Sequence, residues 1–320
     1  MEHAETIAVV VTAVEPVTPV IRQFTLSPAN GGQLPPFSGG SHVIVVMPGE
    51  QRVFRNPYSL SSSPWDLSHY QIAVRRLDQG RGGSVFMHDK VRVGTPLEIS
   101  HPVNLFPLAK LARKHILIAG GVGITPIVAM VEDLLRANVP WELHYRVRGP
   151  DHVHFGLRLC ERAGERVRLY DSRAGQVADF AHILADQPLG THVYTCGPAG
   201  MIADVENSAR ALGWPGSHIH CERFLAPPAG NPFDVQLSRS NVTVHVPSER
   251  SMLEAIEAAG IDAPYLCRGG VCGQCETDVL ELEGELIHND HWLSEEDRLR
   301  NKKIMPCVSR ANCTRLVLDR

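Results

Sequence analysis

Cys267-Arg268-Gly269-Gly270-Val271-Cys272-Gly273-Gln274-Cys275 is the stretch on which the reading of this chain turns. It has the form C-x4-C-x2-C, and a fourth cysteine, Cys307, follows Pro306 further on. That is the plant-type spacing for a [2Fe–2S] cluster held by four thiolates. Gly269, Gly270 and Gly273 allow a short loop to curl and aim N–H groups at the cluster sulfurs, because glycine accepts positive φ without a Cβ clash. Cys307 has to be brought back by a later element to complete the set. A structural zinc site would pair C-x2-C with a second close pair or with histidines, and this loop has no such companion.

Such a cluster moves one electron at a time, so the chain around it needs a source and a sink. Around the loop, Val242 to Val246 alternates as a strand and Ser251 to Ala259 reads as a short amphipathic helix. Glu276 to Leu280 and Arg315 to Leu318 read as strands flanking the region that returns Cys307. Residues 237–320 are therefore expected to form one domain. It is preceded by a linker over 227–236 that opens with Pro227-Pro228-Ala229-Gly230-Asn231-Pro232.

Upstream, residues 111–226 have an α/β pattern. The apolar run His115 to Ala119 leads straight into Gly120-Gly121-Val122-Gly123-Ile124-Thr125-Pro126, and Ile127 to Arg136 has helical spacing. Strand, glycine turn and helix is the nucleotide-binding layout of a doubly wound sheet, although the turn is not a G-x-G-x-x-G fingerprint. Further strands are expected at Trp141–Tyr145, Val167–Tyr170 and His192–Thr195. The last runs into Cys196-Gly197-Pro198-Ala199-Gly200-Met201, a second glycine turn at the carboxyl edge where ligands bind in such sheets. Cys196 reads either as a core thiol or as a residue lying against a nicotinamide.

Residues 1–110 read as all-β. Short β-branched runs at Ile7–Thr12, Ile21–Leu26, His42–Met47, Tyr70–Arg75 and Pro96–Ile99 are separated by Gly, Pro and Ser clusters, which predicts a sandwich or barrel. Within it, Arg55-Asn56-Pro57-Tyr58-Ser59-Leu60 supplies a cation, an aromatic ring and a hydroxyl suited to a flavin's phosphate and ring. Gly80-Arg81-Gly82-Gly83-Ser84 then opens a helix, a place where free N–H groups gather an anion.

Composition narrows the classes. Apolar residues make up 43% and charged residues 21%, with a net charge of −4, so the chain has ample core and no basic excess for nucleic acid. No apolar run approaches the ~20 residues of a membrane span, and Met1-Glu2-His3-Ala4-Glu5 lacks the basic start of a signal peptide. Eight cysteines, half of them in the cluster motif, suit a reducing cytoplasm better than a disulfide framework. None of the 16 histidines is expected to act as an acid–base catalyst.

With these motifs in one order, the chain resembles the phthalate dioxygenase reductase family, which includes the vanillate demethylase reductases and the quaternary-amine monooxygenase reductases. The resemblance spans nearly the whole chain. It implies an antiparallel β-barrel flavin domain, an α/β doubly wound nicotinamide domain and an α+β β-grasp plant-type ferredoxin domain. The family's flavin motif R-x-Y-S corresponds to Arg55, Tyr58 and Ser59, with one additional residue between arginine and tyrosine. The resemblance implies FMN rather than FAD, with its phosphate at Arg81, Gly82, Gly83 and Ser84, and further flavin contacts at Ala73, Val74, Thr125 and Phe224. It implies NAD(P)H at Gly120, Gly121, Gly123, Thr125, Pro126, Cys196, Gly197, Pro198 and Met201, with Glu222 and Phe224 close to the nicotinamide and flavin. The four metal ligands are Cys267, Cys272, Cys275 and Cys307. The implied activity is that of the reductase component of a two-component Rieske non-heme iron oxygenase or demethylase, acting as a monomer. Electrons pass from NAD(P)H to FMN in pairs and onward to the cluster singly.

Asp171-Ser172-Arg173 follows the third α/β strand, where the adenine ribose is expected. An acidic residue there favours NADH, whereas Arg173 with Ser172 would suit the 2′-phosphate of NADPH. The reading adopted is NADH.

Overall fold

The computed structural model describes residues 6–50, 52–224 and 228–320. It divides into two compact units, one ending at Arg223 and the other beginning at Phe224.

The first unit starts with an antiparallel barrel. Its strands are β1 (Ile7–Thr18), β2 (Ile21–Pro28), β3 (Ser41–Pro48), β4 (Val53–Ser59) and β5 (Tyr70–Arg75). The helix α1 (Gly83–Asp89) and the short strands β6 (Pro96–Ile99) and β7 (Val103–Asn104) follow. The order is β4-β3-β6-β1-β2-β5, and Leu60, just past β4, bridges Ile72 in β5 to close the circuit. Alternation fills the interior: Val9, Val11, Phe24, Leu26, Val43, Val45, Met47 and Ile72 are all within the barrel core.

The same unit continues as a parallel sheet built from β8 (Lys114–Gly120), α2 (Ile124–Ala137), β9 (Trp141–Val147), α3 (His154–Ala163), β10 (Val167–Asp171), α4 (Phe180–Leu184), β11 (Thr191–Cys196), α5 (Ala199–Ala211) and β12 (Ile219–Glu222). The order β10-β9-β8-β11-β12 reverses direction between β8 and β11. That is the switch point at which doubly wound sheets open a crevice, and both glycine turns leave the sheet there. Barrel and sheet share one core: Val17, Ile21, Ala73 and Phe106 from the barrel pack with Leu117, Ala119, Ile127 and Met130. Gly39 has no room for a side chain, since a Cβ would stand 2.5 Å from the Met130 backbone on α2.

The second unit comprises β13 (Phe233–Leu237), β14 (Val242–Val246), α6 (Met252–Ala258), β15 (Thr277–Ile287), α7 (Glu295–Arg300), β16 (Lys303–Ile304) and β17 (Arg310–Leu318). Its sheet runs β14-β13-β17-β15-β16, with β13 and β17 parallel and the other pairs antiparallel, in β-grasp fashion. A capping box starts α6: Ser251 Oγ accepts the Glu254 N–H at 3.2 Å, while Glu254 accepts the Ser251 N–H at 3.1 Å. Met252, Leu253 and Ile256 then enter the core with Val235, Leu237, Val279 and Leu316.

The segment expected as linker over 227–236 is strand from Phe233 onward, because Phe233, Val235 and Leu237 alternate into that core. Pro227 lies outside the described residues.

Candidate functional site

In the second unit, α6 and β15 hold the two ends of the cysteine loop, and the turn before β17 delivers Cys307. Cys267, Cys275 and Cys307 are buried, and Cys272 is partly exposed. The thiols fall into two hydrogen-bonded pairs. Cys272 holds the Cys267 thiol low, at about 5, and Cys307 likewise holds Cys275 below the ordinary thiol range. Within each pair one thiol is prone to ionise while its hydrogen-bonding partner, Cys272 or Cys307, is pushed up. Two such adjacent pairs fit an [Fe–S] cluster in which each iron takes two of four cysteines. Backbone donors surround them. Gly269 N–H donates to Cys267 Sγ at 3.3 Å; the Val271 amide also bonds Cys267, Gln274 bonds Cys272 and Gly270 bonds Cys307. Among the described residues, no group of three or more His, Cys, Asp or Glu side chains is arranged for a single metal ion.

The loop's curl differs from the glycine reading. Gly270 (φ 72°) and Gly273 (φ 75°) are left-handed as expected, but Gly269 is not, and the third left-handed residue is Arg268 (φ 52°). Gly273 is also sterically fixed, since a Cβ there would meet the Trp292 indole at 2.3 Å.

In the first unit, the two glycine turns pack directly on each other. A Cβ on Gly123 would lie 2.3 Å from the Cys196 carbonyl oxygen, and one on Gly120 would lie 2.8 Å from both Met201 Sδ and Pro198 Cδ. Gly197 is likewise filled by Met201. Gly121 (φ 56°) and Gly200 instead face open space. Thr125 is buried and donates its hydroxyl to the Val122 carbonyl at 3.0 Å; Pro126 sits in the first turn of α2, where its missing N–H is tolerated.

Glu222, at the end of β12, ties barrel to sheet. It bonds Ser59 of the arginine–tyrosine–serine stretch, and Cys196 Sγ lies 4.0 Å from its Oε2. Burial raises its carboxyl to about 8, against the opposing pull of the Ser59 bond, so it is protonated at neutral pH. Cys196 is fully buried and its thiol is pushed up by the same burial. Phe224 lies two residues beyond β12 and is half exposed.

Along β4 the pleat separates residues expected to act together. Asn56 and Tyr58 pair with the core residues Val45 and Val43, so they share one face, while Arg55, Pro57 and Ser59 take the other. The extra residue between Arg55 and Tyr58 causes this. Asn56 was not singled out from the sequence, yet its amide donates to the Tyr58 hydroxyl at 3.3 Å and would clash with a Cβ on Gly83 at 2.5 Å. Asn56 and Tyr58 therefore flank the start of α1, where Gly82 (φ 93°) caps the helix and Ser84 Oγ accepts the Leu77 N–H at 3.1 Å. The two-residue spacing from Asn56 to Tyr58 was the available signal. Ala73 lies in the core shared with the sheet, and Val74 points into the barrel. His42, opposite Ser59 in register, is buried and held neutral by desolvation, its pKa lowered to about 4.

At the outer edge, Asp171 spends one carboxylate oxygen on the Arg173 N–H at 2.9 Å, and Ser172 donates to the Val147 carbonyl at 3.1 Å. The Arg173 side chain runs along Gly149, where a Cβ would be 2.9 Å from its Cδ.

Comparison with known proteins matches this architecture. Residues 235–312 match the 2Fe-2S iron-sulfur cluster binding domain, and residues 100–219 match the dimethylamine monooxygenase subunit DmmA-like N-terminal domain. The carnitine monooxygenase reductase subunit of Acinetobacter baumannii is 44% identical over 319 residues, covering 99% of each chain. The heme-dependent oxidative N-demethylase beta subunit of Ectopseudomonas mendocina is also 44% identical, covering 97% of each. Among solved structures, phthalate dioxygenase reductase superposes with a TM-score of 0.86 at 33% identity, covering 98% of each chain.

Proposed function

The chain belongs to the phthalate dioxygenase reductase family of oxygenase-system reductases, and we propose that it passes electrons from NADH through FMN and a [2Fe–2S] cluster to a Rieske-type terminal oxygenase. The observation that carries this reading is Glu222. It joins Ser59 of the flavin stretch to Cys196 of the nicotinamide stretch across the seam of one compact unit.

When bound, nicotinamide and flavin supply two-electron hydride chemistry and the cluster supplies one-electron transport. The chain's own residues supply placement. Gly82, Gly83 and Ser84, with Arg81 and Asn56, would cradle the flavin phosphate, and Tyr58 and Ser59 would line the ring. Gly121, Pro198 and the first turns of α2 and α5 would bound the nicotinamide. Gly123, seated on the Cys196 carbonyl, sets the two glycine turns against each other. Cys267 with Cys272, and Cys275 with Cys307, would each hold one iron. The Asp171 carboxylate favours free ribose hydroxyls and hence NADH. The chain is read as a cytoplasmic monomer. No described helix is long and apolar enough to cross a membrane.

A second reading concerns the partner. The Ectopseudomonas mendocina relative is named for a heme-dependent N-demethylase, so a heme-bearing oxygenase subunit is the alternative electron sink. Released flavin identified by chromatography, and kcat/KM for NADH against NADPH, test the donor side. Turnover with purified Rieske-type and heme-type oxygenase subunits tests the acceptor side. FAD, a preference for NADPH, or coupling only to the heme-type subunit would each overturn the corresponding part.

A further inference from the structure

Arg268 stands immediately after the first cluster cysteine in left-handed backbone, φ 52°. Glycine adopts that conformation without steric penalty and a residue with a side chain does not. Two glycines follow it directly, so the chain places a side chain where the backbone alone would favour its absence. That side chain is also buried, 5% exposed, although a guanidinium is strongly hydrated when free.

Its surroundings account for both departures. Arg268 forms a two-pronged ion pair with Glu257 near the end of α6: Nη1 donates to Oε2 at 3.0 Å and Nη2 donates to Oε1. Its guanidinium lies 3.8 Å from the centroid of the Tyr265 ring, two residues before Cys267. Glu257 is itself mostly buried, 17% exposed. The planar fork matches a carboxylate at two points and stacks on an aromatic face, which an ammonium cannot do together.

We propose that Glu257, Arg268 and Tyr265 form a clamp that fixes the cysteine loop onto α6, so that Arg268 is a positioning residue for the cluster. The clamp acts on the loop's start, where Cys267 must face Cys272. It holds the thiols in place before iron arrives and resists their departure when a chelator competes. The inference rests on the reading that the four cysteines hold a [2Fe–2S] cluster.

The test uses the full-length protein. Iron and acid-labile sulfide in the unaltered chain come first: their absence defeats the cluster reading itself. With a cluster present, Arg268→Gly, Arg268→Lys and Glu257→Gln are compared by the rate of cluster bleaching in excess chelator and by the EPR signal of the dithionite-reduced protein. Far-UV circular dichroism and thermal unfolding of the variants serve as the folding control for the second unit, and NADH reduction of the flavin checks that the first unit is intact. The clamp predicts at least ten-fold faster bleaching and a broadened signal in Arg268→Gly and Glu257→Gln, with Arg268→Lys intermediate. If backbone conformation were all that mattered, Arg268→Gly would keep its cluster as long as the unaltered chain or longer, with an unchanged signal, and that result would overturn the proposal. Should Arg268→Gly assemble no cluster, Glu257→Gln decides alone: bleaching at the unaltered rate refutes the clamp, and faster bleaching supports it.

Discussion

Glu222 shows how burial alone sets a protonation state at the proposed site. Its folded value, about 8, stands above its ordinary 4.5, so between those values the folded chain holds a proton that the unfolded chain has released. The stability it contributes is complete below the lower value and is lost as pH rises through the upper one. Glu222→Gln keeps the neutral shape and removes the titration. The expected result is a Tm that declines less steeply than wild type between pH ~5 and ~8, and superimposable slopes would contradict it. Glu222→Ala leaves Ser59 and Cys196 around a void, so flavin reduction by NADH should slow by about ten-fold in rapid-mixing measurements. At this scale the sequence was uneven. The cluster cysteines were legible because iron ligation demands fixed thiol spacing. The partners of Arg55 and Tyr58 were not, because one extra residue turns a strand's side chain to the opposite face. Nor could sequence say that Arg268, and not Gly269, takes the left-handed turn, because its contacts with Glu257 on α6 and with the Tyr265 ring exist only in the folded chain.

Among the elements, the two glycine turns at the switch point matter most. Gly123→Ala drives a Cβ into the Cys196 carbonyl and the Gly197 nitrogen, main-chain atoms that cannot swing aside. A destabilisation of about 1–3 kcal/mol is expected, together with weaker nicotinamide-driven reduction. Gly200→Ala, in the first turn of α5 with nothing within 4 Å, should change stability by no more than about 0.5 kcal/mol. Thermal unfolding of both variants checks the contrast, and equal losses would mean that the turns are not seated as described. Both turns could be read from sequence, since apolar strand, glycine and helix follow in line. What could not be read was that they touch, because that depends on β8 and β11 being neighbours. The strand Phe233–Leu237 was hidden for a different reason: the prolines before it dominate the local signal although its alternation is clear.

As a whole the molecule is a flavin-and-nicotinamide unit followed in sequence by a ferredoxin-type unit, each with its own core. Damage to one should therefore spare the other. Cys272→Ser, or chelation of the metal, is expected to leave NADH-driven ferricyanide reduction within about two-fold of normal while abolishing cytochrome c reduction; loss of both activities together would contradict independent units. The order of three sheets was legible because each carries its own periodicity, two-residue in the barrel and β-grasp and strand–helix in between. The fusion of barrel and sheet into one unit was not, since it depends on Ala73 and Phe106 meeting α2 and β8 in space. The claim that binds both units is that a hydride donor feeds a one-electron carrier within a single chain. Anaerobic titration of the purified protein with NADH, followed by visible absorbance and low-temperature EPR, tests it most directly. The account predicts a yellow chromophore that bleaches and a rhombic [2Fe–2S] signal that grows with added NADH. Zinc or no metal in the protein, or a flavin that bleaches while no such signal appears, would contradict it.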